Sequence, residues 1–302
     1  MKNNYKILIT GATGFIGKNL TNKLLSMNHE IMIISRKEQD FFDNINLKWV
    51  KADLAYINKF SKTIKDFSPE IVIHLYWEDI PFFSIENSLK NLNNSINFFN
   101  LIFTIGSCKK ILVSGSCLEY SKKFGECIES DVIKPNSHFV WAKESLRLWL
   151  TYQSYINNCI LGWFRIFYVF GLNQRKDSLI PSLFRTFNEN KNINIKNMMN
   201  SNDFIYIEDV VDVLSLFTTK KQNGGIYNVG SGKGTKLIDI SRDIELVLRG
   251  TSFKTETFFK NTSKENNQEI VNFWANLNKT NSELGWMPKF SFCEAIKHML
   301  NK

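Results

Sequence analysis

Five cysteines and four histidines are all that 302 residues hold of the side chains most used for metal and redox chemistry. Cys108, Cys117, Cys127, Cys159 and Cys293 form no Cys-x-x-Cys pair, and His29, His74, His138 and His298 show no ligand spacing. Free thiols and no metal site are expected. No apolar stretch approaches the roughly 18 residues of a membrane span, and Asn3 and Asn4 precede the first apolar run, so neither a span nor a signal peptide is expected and the location reads as cytoplasmic. There is no block of one charge sign: the net charge is +9, but lysines and arginines are scattered through Asn-rich segments such as 189–202. That pattern is a general attraction for anions and makes nucleic acid an unexpected partner. No internal repeat is visible.

What is present is an alternation. Short apolar runs at 5–10, 30–35, 47–51, 70–75, 110–115 and 159–166 read as strands, and helical patterns at 15–27, 55–67, 84–106 and 139–157 lie between them. Strands and helices in turn imply an α/β fold, a doubly wound, mostly parallel sheet of Rossmann type covered on both faces. After Arg165 the rhythm changes to longer polar segments, Pro181 and glycines at 224, 225, 230, 232 and 234. The expected division is a dinucleotide-binding domain over 1–166, with 201–230 returning to it, and a smaller substrate-binding region over 167–200 and 231–302.

Residues 10–17 read TGATGFIG between the first strand and the first helix. Gly11 turns the chain off the strand, Gly14 lets backbone approach a pyrophosphate, and Gly17 lets helix pack on strand, with the helix N-terminus facing the phosphates. Gly11, Thr13, Gly14, Phe15, Ile16 and Gly17 are therefore the cofactor-binding candidates of this turn. Where an NAD enzyme carries an acid for the ribose 2′-OH, the second strand ends in Ser35 and Arg36. A guanidinium there suits a 2′-phosphate, so NADP(H) is the expected cofactor.

With ADL at 52–54, IVIHL at 71–75, SGSCLEY at 114–120, FVWAK at 139–143, RIFYVFG at 165–171, DFIYIEDV at 203–210, YNVGSG at 227–232 and LGWMP at 284–288, the chain resembles the extended short-chain dehydrogenase/reductase family. These are NAD(P)-dependent epimerases, dehydratases and reductases of sugar nucleotides. The resemblance implies that Asp53 and Leu54 hold the adenine end, that Leu75 and Tyr76 line the cofactor beside His74, and that Asn91 sits near the nicotinamide. It implies a catalytic hydroxyl at Ser116 and a Tyr-x-x-x-Lys pair whose lysine is Lys143. Four residues before Lys143 stands Phe139, where the pattern has tyrosine. A phenyl ring offers no proton. Three readings follow: a form inactivated by a tyrosine-to-phenylalanine change, which fits the well-matched flanking sequence; an enzyme using Tyr120, His138, Tyr168 or Ser116 instead; or a binding protein without turnover.

The family's dehydratases carry Asp-Glu directly after the catalytic hydroxyl, whereas Cys117 and Leu118 stand here, which leaves 4-keto reduction or 4-epimerisation of a nucleotide-linked sugar. Arg36 favours the reductase through NADPH, and the likeness is to reductases of nucleotide-linked 4-keto-6-deoxyhexoses in surface-polysaccharide synthesis. For the nucleotide-diphosphate sugar, Ser116, Cys117, Arg175 and Lys264 are the substrate candidates, since Asn202 replaces the arginine often found before DF; Lys233 is a further possible diphosphate partner. Leu89, Leu92, Ile96 and Phe99 on one helix and Leu146, Trp149 and Leu150 on another give more apolar surface than one sheet face needs, so a homodimer is expected.

Overall fold

Continuous runs of buried aliphatic residues build the first sheet: Ile7, Leu8 and Ile9, then Ile31, Met32 and Ile33, then Val72 and Ile73 are all fully buried. Strands apolar on both faces belong to a parallel sheet covered by helices on each side. The computed structural model describes residues 4–36, 44–122, 124–193, 195, 197–262 and 270–301. In chain order the first half comprises β1 (Lys6–Thr10), α1 (Phe15–Ser26), β2 (Glu30–Ser35), β3 (Leu47–Lys51), α2 (Ser61–Phe67), β4 (Ile71–His74), α3 (Ile85–Ile105), β5 (Lys110–Ser116), β6 (Phe124–Cys127), α4 (His138–Ile156) and β7 (Ile160–Ile166). The second comprises β8 (Tyr168–Phe170), α5 (Leu179–Asn188), β9 (Ser201–Asn202), β10 (Phe204–Tyr206), α6 (Ile207–Thr219), β11 (Gly225–Val229) and β12 (Thr235–Lys236). It ends with α7 (Leu237–Arg249), α8 (Phe253–Thr262), β13 (Asn272–Ala275), α9 (Asn278–Leu284) and α10 (Phe292–Leu300).

The large sheet runs β3-β2-β1-β4-β5-β7-β11. Strand β1 pairs in parallel with both β2 and β4, so the order reverses between β1 and β4. In an open α/β sheet, ligands bind at the carboxyl ends of strands where such a reversal opens a crevice. Here those ends are Thr10 and His74. The expected Rossmann-type fold is what the chain adopts, and the strands over 30–35 and 47–51 fall where the apolar runs lie. One difference has a local cause. The helix expected over 55–67 is split, because the Asp53 carboxylate caps Ala55 N–H and starts a tight 3₁₀ turn that kinks at Tyr56 before α2 begins. The late segment over Gly225–Val229 is an edge strand of the first sheet, beside β7.

The chain divides into two compact units: 1–121, 132–165 and 211–227 form one, and 122–131, 166–210 and 228–302 the other. The second unit holds the sheet β12-β9-β13-β6 and the pair β10-β8. Its organising group is Asp203, a fully buried carboxylate that accepts from Ser231 Oγ at 2.7 Å, Gly232 N–H at 3.1 Å and Ala275 N–H at 3.0 Å. Burial raises its pKa while these donors pull it back.

Candidate functional site

The turn after β1 has the stereochemistry its glycines suggest. Gly11 has φ +76, and a Cβ there would lie 2.6 Å from the Leu75 carbonyl carbon, so the two strand ends of the crevice meet backbone to backbone. At Gly17 a Cβ would stand 2.1 Å from Gly11 O, which ties α1 tightly to the turn. Gly14 N–H donates to Gly11 O at 3.0 Å, and Gly14 opens α1 with no side-chain cap. The first N–H groups of a helix have no partner inside it, so this end presents donors and a positive dipole. Thr13, Phe15 and Ile16 are partly exposed around it. The cradle fits a dinucleotide pyrophosphate, and Gly11, Gly14 and the α1 N-terminus are the residues that would hold it.

On the β2 side, Ser35 Oγ accepts from Trp49 Nε1 at 3.0 Å and Arg36 Nη1 pairs with Glu78 Oε1 at 2.8 Å. Asp53 caps its turn, and Leu54 is buried in the core. The Tyr76 hydroxyl accepts from Asn94 Nδ2 at 3.0 Å, and burial pushes the phenol up to about 12. Asn91 is committed to the loop after β4: its Oδ1 accepts from Glu78 N–H at 2.7 Å, and its Nδ2 donates to Asn87 O at 2.8 Å and Glu78 O at 3.3 Å. His74 lies between Thr10 Oγ1 at 2.8 Å and Ser95 Oγ at 3.0 Å, and burial, with the Lys143 charge, pulls it down to about 3. It is a neutral tie between β1, β4 and α3.

Helix α4 carries Phe139 and Lys143 one turn apart on its buried face. Lys143 Nζ donates to Ser114 O at 2.9 Å and lies 4.2 Å from the centroid of the Trp77 ring. Burial lowers this ammonium to about 8, partly opposed by the charge of Glu119. The Phe139 ring packs 4.4 Å from Phe83 and edge-on to Trp77 at 5.4 Å. At the end of β5, Ser116 Oγ accepts from Leu118 N–H at 3.2 Å, while Ser116 N–H donates to Glu119 Oε1 at 2.7 Å. Glu119 is fully buried, accepts from Trp163 Nε1 at 3.0 Å and pairs with Arg165 Nε at 2.9 Å. The Arg165 guanidinium stands 4.6 Å over the Tyr120 ring. Glu119 is thus spent on structure, and Tyr120 is buried behind Arg165. Cys117 is buried, and His138 is exposed at the first position of α4.

One unit therefore assembles the glycine turn, Ser35, Arg36, Asp53, Tyr76, Ser116, Phe139 and Lys143. Arg175 and Tyr168 belong to the other, Arg175 in the exposed turn before α5, and Lys264 lies outside the described residues. Trp77, Phe83 and Glu78 were not anticipated. They lie on the loop between β4 and α3, where no spacing rule tells which side chain turns inward. The helices expected to form a homodimer bury part of the apolar surface assigned to that contact. Leu92, Phe99, Leu146 and Leu150 are buried in the core, and the outer face of α3 past Leu89 is Asn93, Asn97, Asn100 and Thr104. Among the described residues no three potential metal ligands cluster, and no helix is long and apolar enough to cross a membrane.

Solved structures share this fold over nearly the whole chain. The Bordetella bronchiseptica enzyme WbmG in complex with NAD superposes with a TM-score of 0.81 at 19% identity, covering 99% of this chain and 94% of that one. The dTDP-glucose 4,6-dehydratase of Bacillus anthracis in complex with NAD gives a TM-score of 0.81 at 19% identity, with 98% and 96% covered. By sequence, the dTDP-4-dehydro-6-deoxyglucose reductase of Escherichia coli is 24% identical, over 97% of this chain and 96% of its own length. The expectation of NADP(H) is corrected here: both solved structures hold NAD, and the Arg36 guanidinium that suggested a 2′-phosphate is already paired with Glu78. The model of the NAD dependent epimerase/dehydratase family matches residues 7–230, and the chain belongs to that family.

Proposed function

We propose that this chain binds NAD and a nucleotide-linked sugar at a site built for hydride transfer in the direction of 4-keto reduction, the proton that completes the alcohol coming from a phenol at the position where this chain carries Phe139, so that the chain as it stands keeps binding and loses most turnover. The observation that carries the site is the pairing of Phe139 and Lys143 on one buried face of α4, with Lys143 Nζ bonded to Ser114 O on the strand that ends at Ser116. Bound NADH supplies the hydride. Ser116, its oxygen oriented by the Leu118 N–H, offers its own proton as a hydrogen bond to the sugar 4-oxygen. Lys143, anchored on Ser114 O, holds positive charge beside the same place and orients the nicotinamide ribose.

Dehydration is not supported, because Cys117 and Leu118 cannot move protons as an Asp-Glu pair does and Glu119 is locked to Arg165 and Trp163. The reductive direction is supported by the named activity of the E. coli relative. Phe139 supplies no proton at the family's phenol position, and the reading is of a form that lost its proton donor through a tyrosine-to-phenylalanine change. A second reading, a nucleotide-sugar sensor without turnover, is favoured by the close packing of Phe139 on Phe83 and Trp77. The second unit is the substrate-binding region in either case, with Arg175 a candidate for the diphosphate. Single-turnover oxidation of NADH with nucleotide 4-keto-6-deoxysugars, measured for the chain and for Phe139→Tyr, separates them: a gain on substitution supports the enzyme, and equal silence with substrate bound supports the sensor.

A further inference from the structure

The end of β2 lacks the acid that holds a ribose diol, and Arg36 stands in its neighbourhood instead. A free guanidinium there would welcome a 2′-phosphate through two parallel hydrogen bonds. Arg36 is not free. Its Nη1 is 2.8 Å from Oε1 of Glu78, whose side chain is 6% exposed against 59% for Arg36. The other Glu78 oxygen takes Lys90 Nζ at 2.6 Å.

Two further observations make this a built arrangement. Asn91 grips the main chain of Glu78 at both its N–H and its C=O, so the residue is held in place independently of its carboxylate. The Tyr76 hydroxyl lies in the joint field of Glu78, Asp53 and Arg36, which puts a second carboxylate into the same neighbourhood. Arg36 and Lys90 carry two positive charges, and Glu78 and Asp53 carry two negative ones. A 2′-phosphate, with about two negative charges, would have to part Arg36 from Glu78 and then lie beside a buried carboxylate that had lost a partner.

We propose that Glu78 sets the preference for NAD over NADP, doing from the β4–α3 loop what an acid at the end of β2 does by direct contact. This rests on reading the glycine turn as a dinucleotide site. Arg36 is then a residue held out of use, and Glu78 is the one that holds it.

The test is equilibrium binding of NADH and NADPH, followed by nicotinamide fluorescence, to the full chain and to Glu78→Gln, Arg36→Ala and the double variant, with thermal melts alongside. The full chain should prefer NADH. Glu78→Gln should shift the affinity ratio toward NADPH by about tenfold, and adding Arg36→Ala should remove that gain. An unchanged ratio in a folded Glu78→Gln protein would overturn the proposal. Should Glu78→Gln fail to fold, Arg36→Ala decides alone: an unchanged NADPH affinity agrees with a guanidinium already occupied, and a fall shows Arg36 free for phosphate and overturns it. Tight binding of neither nucleotide by the full chain would overturn the dinucleotide reading itself, and this inference with it.

Discussion

Lys143 Nζ stands 4.2 Å over the Trp77 ring. The same indole meets the Phe139 ring edge-on at 5.4 Å, so one aromatic side chain from the β4–α3 loop closes both family positions on α4. A cation over an indole face is stabilised by the ring quadrupole, which offsets part of the loss of water around a buried ammonium. The lysine is therefore preserved as a charge in a place that has no phenol to share it with.

A phenol introduced at position 139 should recover proton transfer. Phe139→Tyr adds one oxygen at a position of nearly conserved volume, so stability should change little. Hydride transfer in a single turnover should rise by about 10² to 10⁴, the usual contribution of a placed general acid. If substrate binds equally to both proteins and the rate does not rise, position 139 is not where this chain donates a proton.

The depressed Lys143 pKa has a consequence for stability. Its folded value of about 8 lies below the ordinary 10.5, so between those values the unfolded chain binds more protons and stability rises with pH. Below about pH 8 the folded state carries the whole cost, up to about 3 kcal/mol, and the cost is relieved as pH climbs toward 10.5. Lys110 is also lowered to about 8 by burial and contributes in the same window. Urea unfolding from pH 7 to 10.5 should show a shallower rise in Lys143→Met than in the parent. Parallel curves would mean that this ammonium is not the group that titrates.

Breaking the Glu119–Arg165 pair should be costly, because both side chains are essentially inaccessible to water. Glu119→Ala leaves a buried guanidinium without its carboxylate counter-charge and removes the acceptor of Ser116 N–H. A loss of about 3–5 kcal/mol is expected by denaturant unfolding, and Glu119→Leu combined with Arg165→Met should cost less than the sum of the two single changes. Additive losses would show that the two residues are not coupled.

The homodimer expectation now has a different surface. Trp141, Leu148 and Tyr152 are exposed on one face of α4, whereas Leu92, Phe99, Leu146 and Leu150 are in the core. A two-fold contact through that face predicts a dimer mass by light scattering at micromolar concentration, reduced to a monomer in Leu148→Glu. A monomer from the unsubstituted chain would remove the contact altogether.

The glycine turn was legible because its requirements are local: Gly11 needs a left-handed φ, Gly17 has no room for a Cβ, and the first lies between an apolar strand and a helix while the second lies in that helix's first turn. The parallel sheet was legible for a similar reason, since buried strands are written as unbroken aliphatic runs. The Phe139 departure was visible too, through the resemblance, because the family pattern puts a tyrosine one helical turn before Lys143. The partner of a charge is another matter. Arg36 looked like a phosphate ligand until the fold brought Glu78 to it, and Asn91 looked like a cofactor contact until it met the backbone of Glu78. By itself the sequence determined which segments become strands, turns and helices, through backbone stereochemistry and periodic burial. Tertiary structure alone decided which polar groups remain for a ligand, because charges act over a few ångströms of space and only the strand order sets which loops come that close.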